Sequence, residues 1–517
     1  MLRPSHAGRA ALALAALVLA PPACSLGNPS RSACEDDAAC AVAFGVGSTC
    51  SDGYCSEPGT CATGHDCRIK YGGGACVDGA CRMFVPENPQ CPIDDPPDLF
   101  TRPLAGDGAT LVIGAIFATD DVKNLATANA VILAAREIDE STGLADGRRV
   151  GVVVCDNGGP GNAAEGEERT QLDQQALDHL AGTLGVPFLV GPRTSSDALK
   201  IVARLVEKKY PTVVISPSAT SPELTGVPSR LDATDPHPLF WRTCPSDTLQ
   251  GRVLAESVLG VDPAILTIAV VYTNDAYGQG FSDVLLETFG VDQTSLVPFD
   301  AAQLAAGEAD AAASKTLMAN PDAIVIVSTS AGDTVALLGA MAAQGLGTKK
   351  FFFTDGSKDA AALLAPGIPE DVKAIIKLAR GTAPANARDD ATFKKFSAGL
   401  DAEFPGLDPT QFSFIAHAYD ATYLGALGTV YAATKSSTYD GRDVAEGLAS
   451  LTAGDEIEIG PVSWPTAKQT IADAGQLDVL GISGELTLDP ALGEGPAPIE
   501  VWRVSDDGTG FVTENIF

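Results

Sequence analysis

VGPRTSSDALKIVARLVEKKYPTVVISPSATSPELT, residues 190 to 225, alternates between two chain habits. An apolar run from Pro187 to Val190 ends at Gly191, and the polar turn Thr194, Ser195, Ser196 leads into a helix whose apolar positions Leu199, Val202, Leu205 and Val206 follow helical spacing. Thr212 to Ile215 then reads as a short buried strand, followed by a second polar turn, Ser216 to Thr220, before Pro222. Strand, loop, helix, strand, loop places two hydroxyl-rich turns at one edge of a parallel sheet, where open α/β sheets bind ligands. Hydroxyls and free amides at a helix start suit a carboxylate.

GPRTSS followed by SPSATSPELT resembles the paired ligand loops of type I periplasmic binding proteins, in particular the branch that binds leucine, isoleucine and valine or amides. The resemblance extends along the chain. FWRTCPSDTLQG, residues 240 to 251, is similar to the first inter-lobe crossover of that family, and Ala374 to Arg380 resembles the second. HAYDATYLGALGTVYAAT, 417 to 434, resembles a first-lobe helix, and Ser483 to Gly508 the terminal segment holding the third crossing. The implied fold is α/β: two Rossmann-like lobes with parallel sheets joined by three crossovers, preceded by a small disulfide-rich segment. Alternating apolar strands and amphipathic helices from Thr110 onward independently indicate parallel sheets with crossover helices.

At 517 residues the chain exceeds one core, and it divides by composition. Residues 1–23 read as a signal peptide: Arg3, His6 and Arg9 precede an apolar run from Ala10 to Ala20 that is short for a membrane span. Cys24 stands where a bacterial lipoprotein carries its acyl chain, with Pro21 in place of the usual leucine, and residues 24–33 would form a lipid tether. Eight cysteines then form two repeats over 34–81: Cys34, Cys40, Cys50, Cys55 and Cys61, Cys67, Cys76, Cys81. The residues between them are mostly small and polar, so crosslinks must replace a core, and an oxidising compartment is implied. Lacking paired CxxC spacing and holding only His65, they fit disulfides better than zinc. Pairing within each repeat is left open by the spacing. Cys91, Cys155 and Cys244 remain, and a bridge within that trio is expected. Residues 82–109 carry many Pro and Asp and read as a stiff extended linker. The binding domain would span 110–517, with lobe 1 about 110–243 and 384–485 and lobe 2 about 244–383 and 486–517.

The family resemblance assigns ligand residues by position. Ser195, Ser196, the backbone about Ala219 and the hydroxyl of Thr220 would receive a ligand carboxylate from lobe 1. Tyr277, in YTNDAYGQG, would close over the ligand from lobe 2, with Thr329 contributing from a neighbouring loop. Asp355, in FFFTDGSKD, would accept an ammonium group. The first loop, Ala118 to Asp121, departs from the family pattern, and its carboxylates would either admit a cationic group or be solvated. An amino acid or close analogue, captured for an ABC permease, is the function this implies. A lipid-anchored ligand sensor or surface interaction protein is the other reading, favoured by the added cysteine repeats.

Other classes lack their residues. There is no HExxH, GxSxG or Walker loop, so no catalytic constellation, metal site or cofactor is expected. Gly159, Gly161 and Ala164 form a GxGxxA, but after the second strand and with Pro160 inside the turn, the wrong context for dinucleotides. A net charge of −32 opposes nucleic-acid binding. No later segment suits a membrane span, so attachment would be through lipid alone.

Overall fold

The computed structural model describes residues 33–106, 108–144, 147–260, 262–385 and 391–517. The signal segment and Cys24 lie outside the described residues. Two sheets organise the rest. The first holds six strands in the order 240–242, 213–216, 188–190, 110–117, 149–156 and 93–95. All neighbours are parallel except the last pair. Thr110–Phe117 is buried at every position, because helices cover both faces of the sheet. Helix Val122–Ser141 packs against Ile415–Lys435, the long helix contributed by the returning chain. Gly425 permits that helix to lie on the Phe188 ring, which a Cβ would approach to 2.3 Å.

The second sheet has seven strands in the order 294–299, 268–273, 323–327, 350–353, 380–384, 499–504 and 511–516. The first five pair in parallel, and the last two pairings, 380–384 with 499–504 and 499–504 with 511–516, are antiparallel. The chain passes between the sheets three times: after Arg242, after Pro384, and between Leu488 and Ile499. Ala374 to Arg380, expected as the second crossing, is instead the end of helix Glu370–Leu378 and the first residue of strand Arg380–Pro384. Ile375 and Ile376 are buried, which holds this segment inside the second lobe.

The cysteine repeats pair first to third and second to fourth: Cys34–Cys50, Cys40–Cys55, Cys61–Cys76 and Cys67–Cys81. The second repeat docks on lobe 1. Arg68 donates to the Gly185 carbonyl at 2.8 Å and lies over the Tyr439 ring, while His65 faces Asp440 at 3.6 Å. Gly185 precedes strand 188–190, so the repeat covers the sheet edge opposite the ligand loops.

The stretch 82–109, read as a stiff extended linker, is packed onto the lobe. Ile93–Asp95 adds an antiparallel edge strand beside Arg149–Asp156, and Cys91 is bonded to Cys155 within that strand. Leu99 and Leu104 are buried among the prolines, so this extended chain is laid onto the lobe rather than spanning solvent. Cys244 is the free thiol among the described residues; burial pushes it well above its usual range.

Candidate ligand site between the lobes

Lobe 1 supplies its loops from the C-terminal ends of strands 188–190 and 213–216. Gly191 starts the first at φ +110°, where a Cβ would meet the Ile116 carbonyl at 2.5 Å. Thr194 caps helix Ser195–Lys208, accepting from the Asp197 amide at 3.2 Å. Side-chain bonds tie the loops together: Ser216 Oγ donates to the Pro192 carbonyl at 2.7 Å, and Ser218 Oγ to the Arg193 carbonyl at 2.9 Å. Ser195 Oγ accepts from the Ser221 amide at 3.1 Å, leaving its proton available to a ligand. Arg242, at the first crossing, donates to the carbonyls of Ala219 and Ser221 at 2.8 and 3.0 Å and to Glu494, beside the third crossing, at 2.8 Å.

Lobe 2 brings helix Ala276–Phe289, capped by Asp275, and the turn Asp355–Ser357. The Tyr277 hydroxyl stands 2.7 Å from Thr354 Oγ1 and 2.7 Å from Asp355 Oδ1. Gln250, just past the first crossing, donates to Asp355 Oδ1 at 3.0 Å and to the Thr382 carbonyl at 3.0 Å. Asp355 Oδ2 has no protein donor among the described residues. The lobes meet directly: Ser221 Oγ donates to the Ala276 carbonyl at 2.8 Å, the Ala276 amide donates to Ser196 Oγ at 3.3 Å, and Ser413 Oγ donates to the Asp355 carbonyl at 3.0 Å.

A narrow cavity of about 20 Å³ lies between them, lined by Arg193, Thr194, Ser195, Ser218, Tyr277, Thr329, Asp355, Gly356 and Phe414. It adjoins a wider cleft that shares Arg193, Thr194, Thr329 and Gly356 and adds Lys123, Ser196 and Asp359. Four of the residues singled out from sequence, Ser195, Tyr277, Thr329 and Asp355, therefore share one small cavity. Ser196 faces the wider cleft. Ala219 and Thr220 are buried behind the loop, where their carbonyls accept from Arg242 and from the Asp247 amide.

The first-loop carboxylates are occupied locally. Asp120 accepts from the Gly161 amide at 2.7 Å, and Asp121 caps the next helix through the Asn124 amide at 2.8 Å. That helix instead presents Lys123, which is buried and donates to the Asp355 carbonyl at 3.4 Å. Burial, with the Arg193 charge adding, pushes Lys123 down to about 7. Asp247 moves the other way: burial, and then the Asp355 carboxylate, raise it well above its ordinary value. Sequence reasoning passed over Arg193, Lys123, Phe414 and Gln250. Arg193 was visible inside GPRTSS, and Lys123 followed the loop already noted as atypical.

Residues 122–477 match the family model described as periplasmic binding protein. The chain belongs to the periplasmic binding protein family. Solved structures of similar fold include the branched-chain amino acid transporter substrate-binding protein LivJ from Streptococcus pneumoniae, in complex with isoleucine, at 20% identity and TM-score 0.56, covering 79% of this chain and 98% of that one. The leucine-binding protein LivK from Thermotoga maritima aligns at 18% identity and TM-score 0.55, over 79% and 98% of the two chains. A solute-binding protein of an ABC transporter from Rhodopseudomonas palustris, in complex with p-hydroxybenzoic acid, gives 16% identity and TM-score 0.58, over 79% and 97%. A curated relative, the chemotactic signal transduction system substrate-binding protein BasB from Halobacterium salinarum, is 26% identical over 54% of this chain and 61% of its own length. In a periplasmic binding protein, residues at the lobe interface are the ones that a rotation about the crossings would bring to or take from a ligand.

Proposed function

We propose that this protein is an extracytoplasmic solute-binding protein that captures a small amino acid or close analogue between its lobes and delivers it to an ABC importer. The carrying observation is the convergence of Ser195 from lobe 1 with Tyr277 and Asp355 from lobe 2 on one small cavity. In this reading a ligand carboxylate takes the Ser195 hydroxyl and the helix start behind it, and the ligand ammonium takes Asp355 Oδ2. Ser196, Thr329 and the loop about Ala219 and Thr220 support that seat. Charge-assisted bonds of this kind contribute about 1.5–3 kcal/mol each. Five disulfides support an oxidising compartment, and a lipid on Cys24 would hold the protein at the envelope. Among the described residues no helix is long and apolar enough to cross a membrane.

A second reading rests on the similarity to BasB: ligand capture feeding a chemotactic receptor rather than a permease. Genes for permease subunits beside this one support transport, and a neighbouring receptor gene supports signalling.

The test is a thermal-shift screen of the full chain, with disulfides formed, against amino acids, amides, polyamines and small carboxylates. A ligand at one hundred times its Kd stabilises the protein by about 2.7 kcal/mol. The expected hit is an amino acid; a screen in which only non-amino compounds stabilise the chain would overturn the ligand class.

A further inference from the structure

We propose that the ligand carries a second carboxylate, so that the pocket selects an acidic α-amino acid, read by Arg193 and Lys123. This rests on the amino-acid reading above and adds the side chain that reading leaves open. Around the cleft, cations are generally neutralised. Arg169 pairs with Asp197 at 2.8 Å, Lys200 lies 3.6 Å from Asp197 and 3.9 Å from Asp173, and Lys358 pairs with Glu500. Arg193 and Lys123 are different. Neither forms an ion pair with a described residue, although Asp121, Asp355 and Asp359 are near enough to Lys123 to act on its charge.

Lys123 is 3% exposed, and among the described residues its single hydrogen bond is the long one to the Asp355 carbonyl. Arg193 Nε is buried without a partner, and its side chain lines both the small cavity and the wider cleft. Holding a buried ammonium and a half-buried guanidinium in one cleft with no carboxylate in direct contact is costly, and fixing one carboxylate between them relieves both. A planar guanidinium beside an ammonium suits a carboxylate. With the α-carboxylate at Ser195 and the ammonium at Asp355, the side chain is the group left to reach them. Phe414, also on the cavity wall, sets aside room for a short aliphatic stem rather than a long polar one.

Glutamate against glutamine, and aspartate against asparagine, isolate this charge at constant shape. Calorimetric titration of the full chain at pH 6 is expected to give at least tenfold tighter binding for the acid of one pair. Arg193→Gln and Lys123→Met should each remove that preference while the neutral partner still binds, which also reports that the variants fold. Equal or tighter binding of the amides, or a preference that survives both substitutions, overturns the proposal and leaves the amino-acid reading standing. Succinate or benzoate binding in the absence of any amino acid overturns both.

Discussion

Lys123 carries a pH dependence whose sign is fixed by its surroundings. Asp121 on its own helix, Arg193 from the adjacent loop, and Asp355 and Asp359 from lobe 2 all act on it, yet burial dominates and holds it near 7 in the folded chain. Its ordinary value is 10.5, so between about pH 7 and 10.5 the unfolded chain binds more protons than the folded one. Stability of the ligand-free protein from this group therefore rises with pH across that window, by at most about 1.4 kcal/mol per pH unit. Urea unfolding of wild type and Lys123→Met at pH 7 and 9 isolates the effect. The variant should be the more stable at pH 7, and the gap should narrow at pH 9. Ser195, Tyr277 and Asp355 were legible in the sequence because short motifs fix them. Lys123 and Arg193 were not, because a lysine after an acidic turn is ordinarily a solvated residue. In the fold, the Asp355 carbonyl of lobe 2 accepts from this lysine, which is buried.

At the scale of elements, the apolar runs and polar turns were sufficient for the central parallel strands of both lobes, but not for Thr294–Phe299 or Arg380–Pro384 of the second sheet. The edge strand Ile93–Asp95 was hidden, since three residues among prolines carry no periodicity and its pairing partner lies far along the chain. The second crossing was placed early. Ala374 to Arg380 was matched to the crossing by resemblance alone, and packing shows it as the end of a helix and the start of a strand. The Cys91–Cys155 bridge closes 64 residues of separation and fastens the edge strand to the sheet. Replacing both cysteines with serine should cost about 2–5 kcal/mol, measured by denaturant unfolding. A change under half a kcal/mol would mean that the edge strand holds by its backbone pairing alone.

For the whole molecule, the docking of the second cysteine repeat sets an orientation. Its contacts through His65 and Arg68 lie on the edge of lobe 1 away from the ligand loops, so the cleft faces opposite to the N-terminal modules. Arg242 joins the first crossing, the Ser216 to Thr225 loop and Glu494 beside the third crossing into one buried unit. Direct bonds between Ser196, Ser221 and Ala276 require the lobes to be together, and a ligand bridging Ser195 and Asp355 would add to them. The central claim is that one ligand is held from both sides at once. Calorimetric titration of the most stabilising amino acid into wild type, Ser195→Ala and Asp355→Asn tests it most directly. Each substitution should weaken binding by roughly 10- to 150-fold, the equivalent of one charge-assisted hydrogen bond. Affinities within twofold of wild type in both variants would contradict the account.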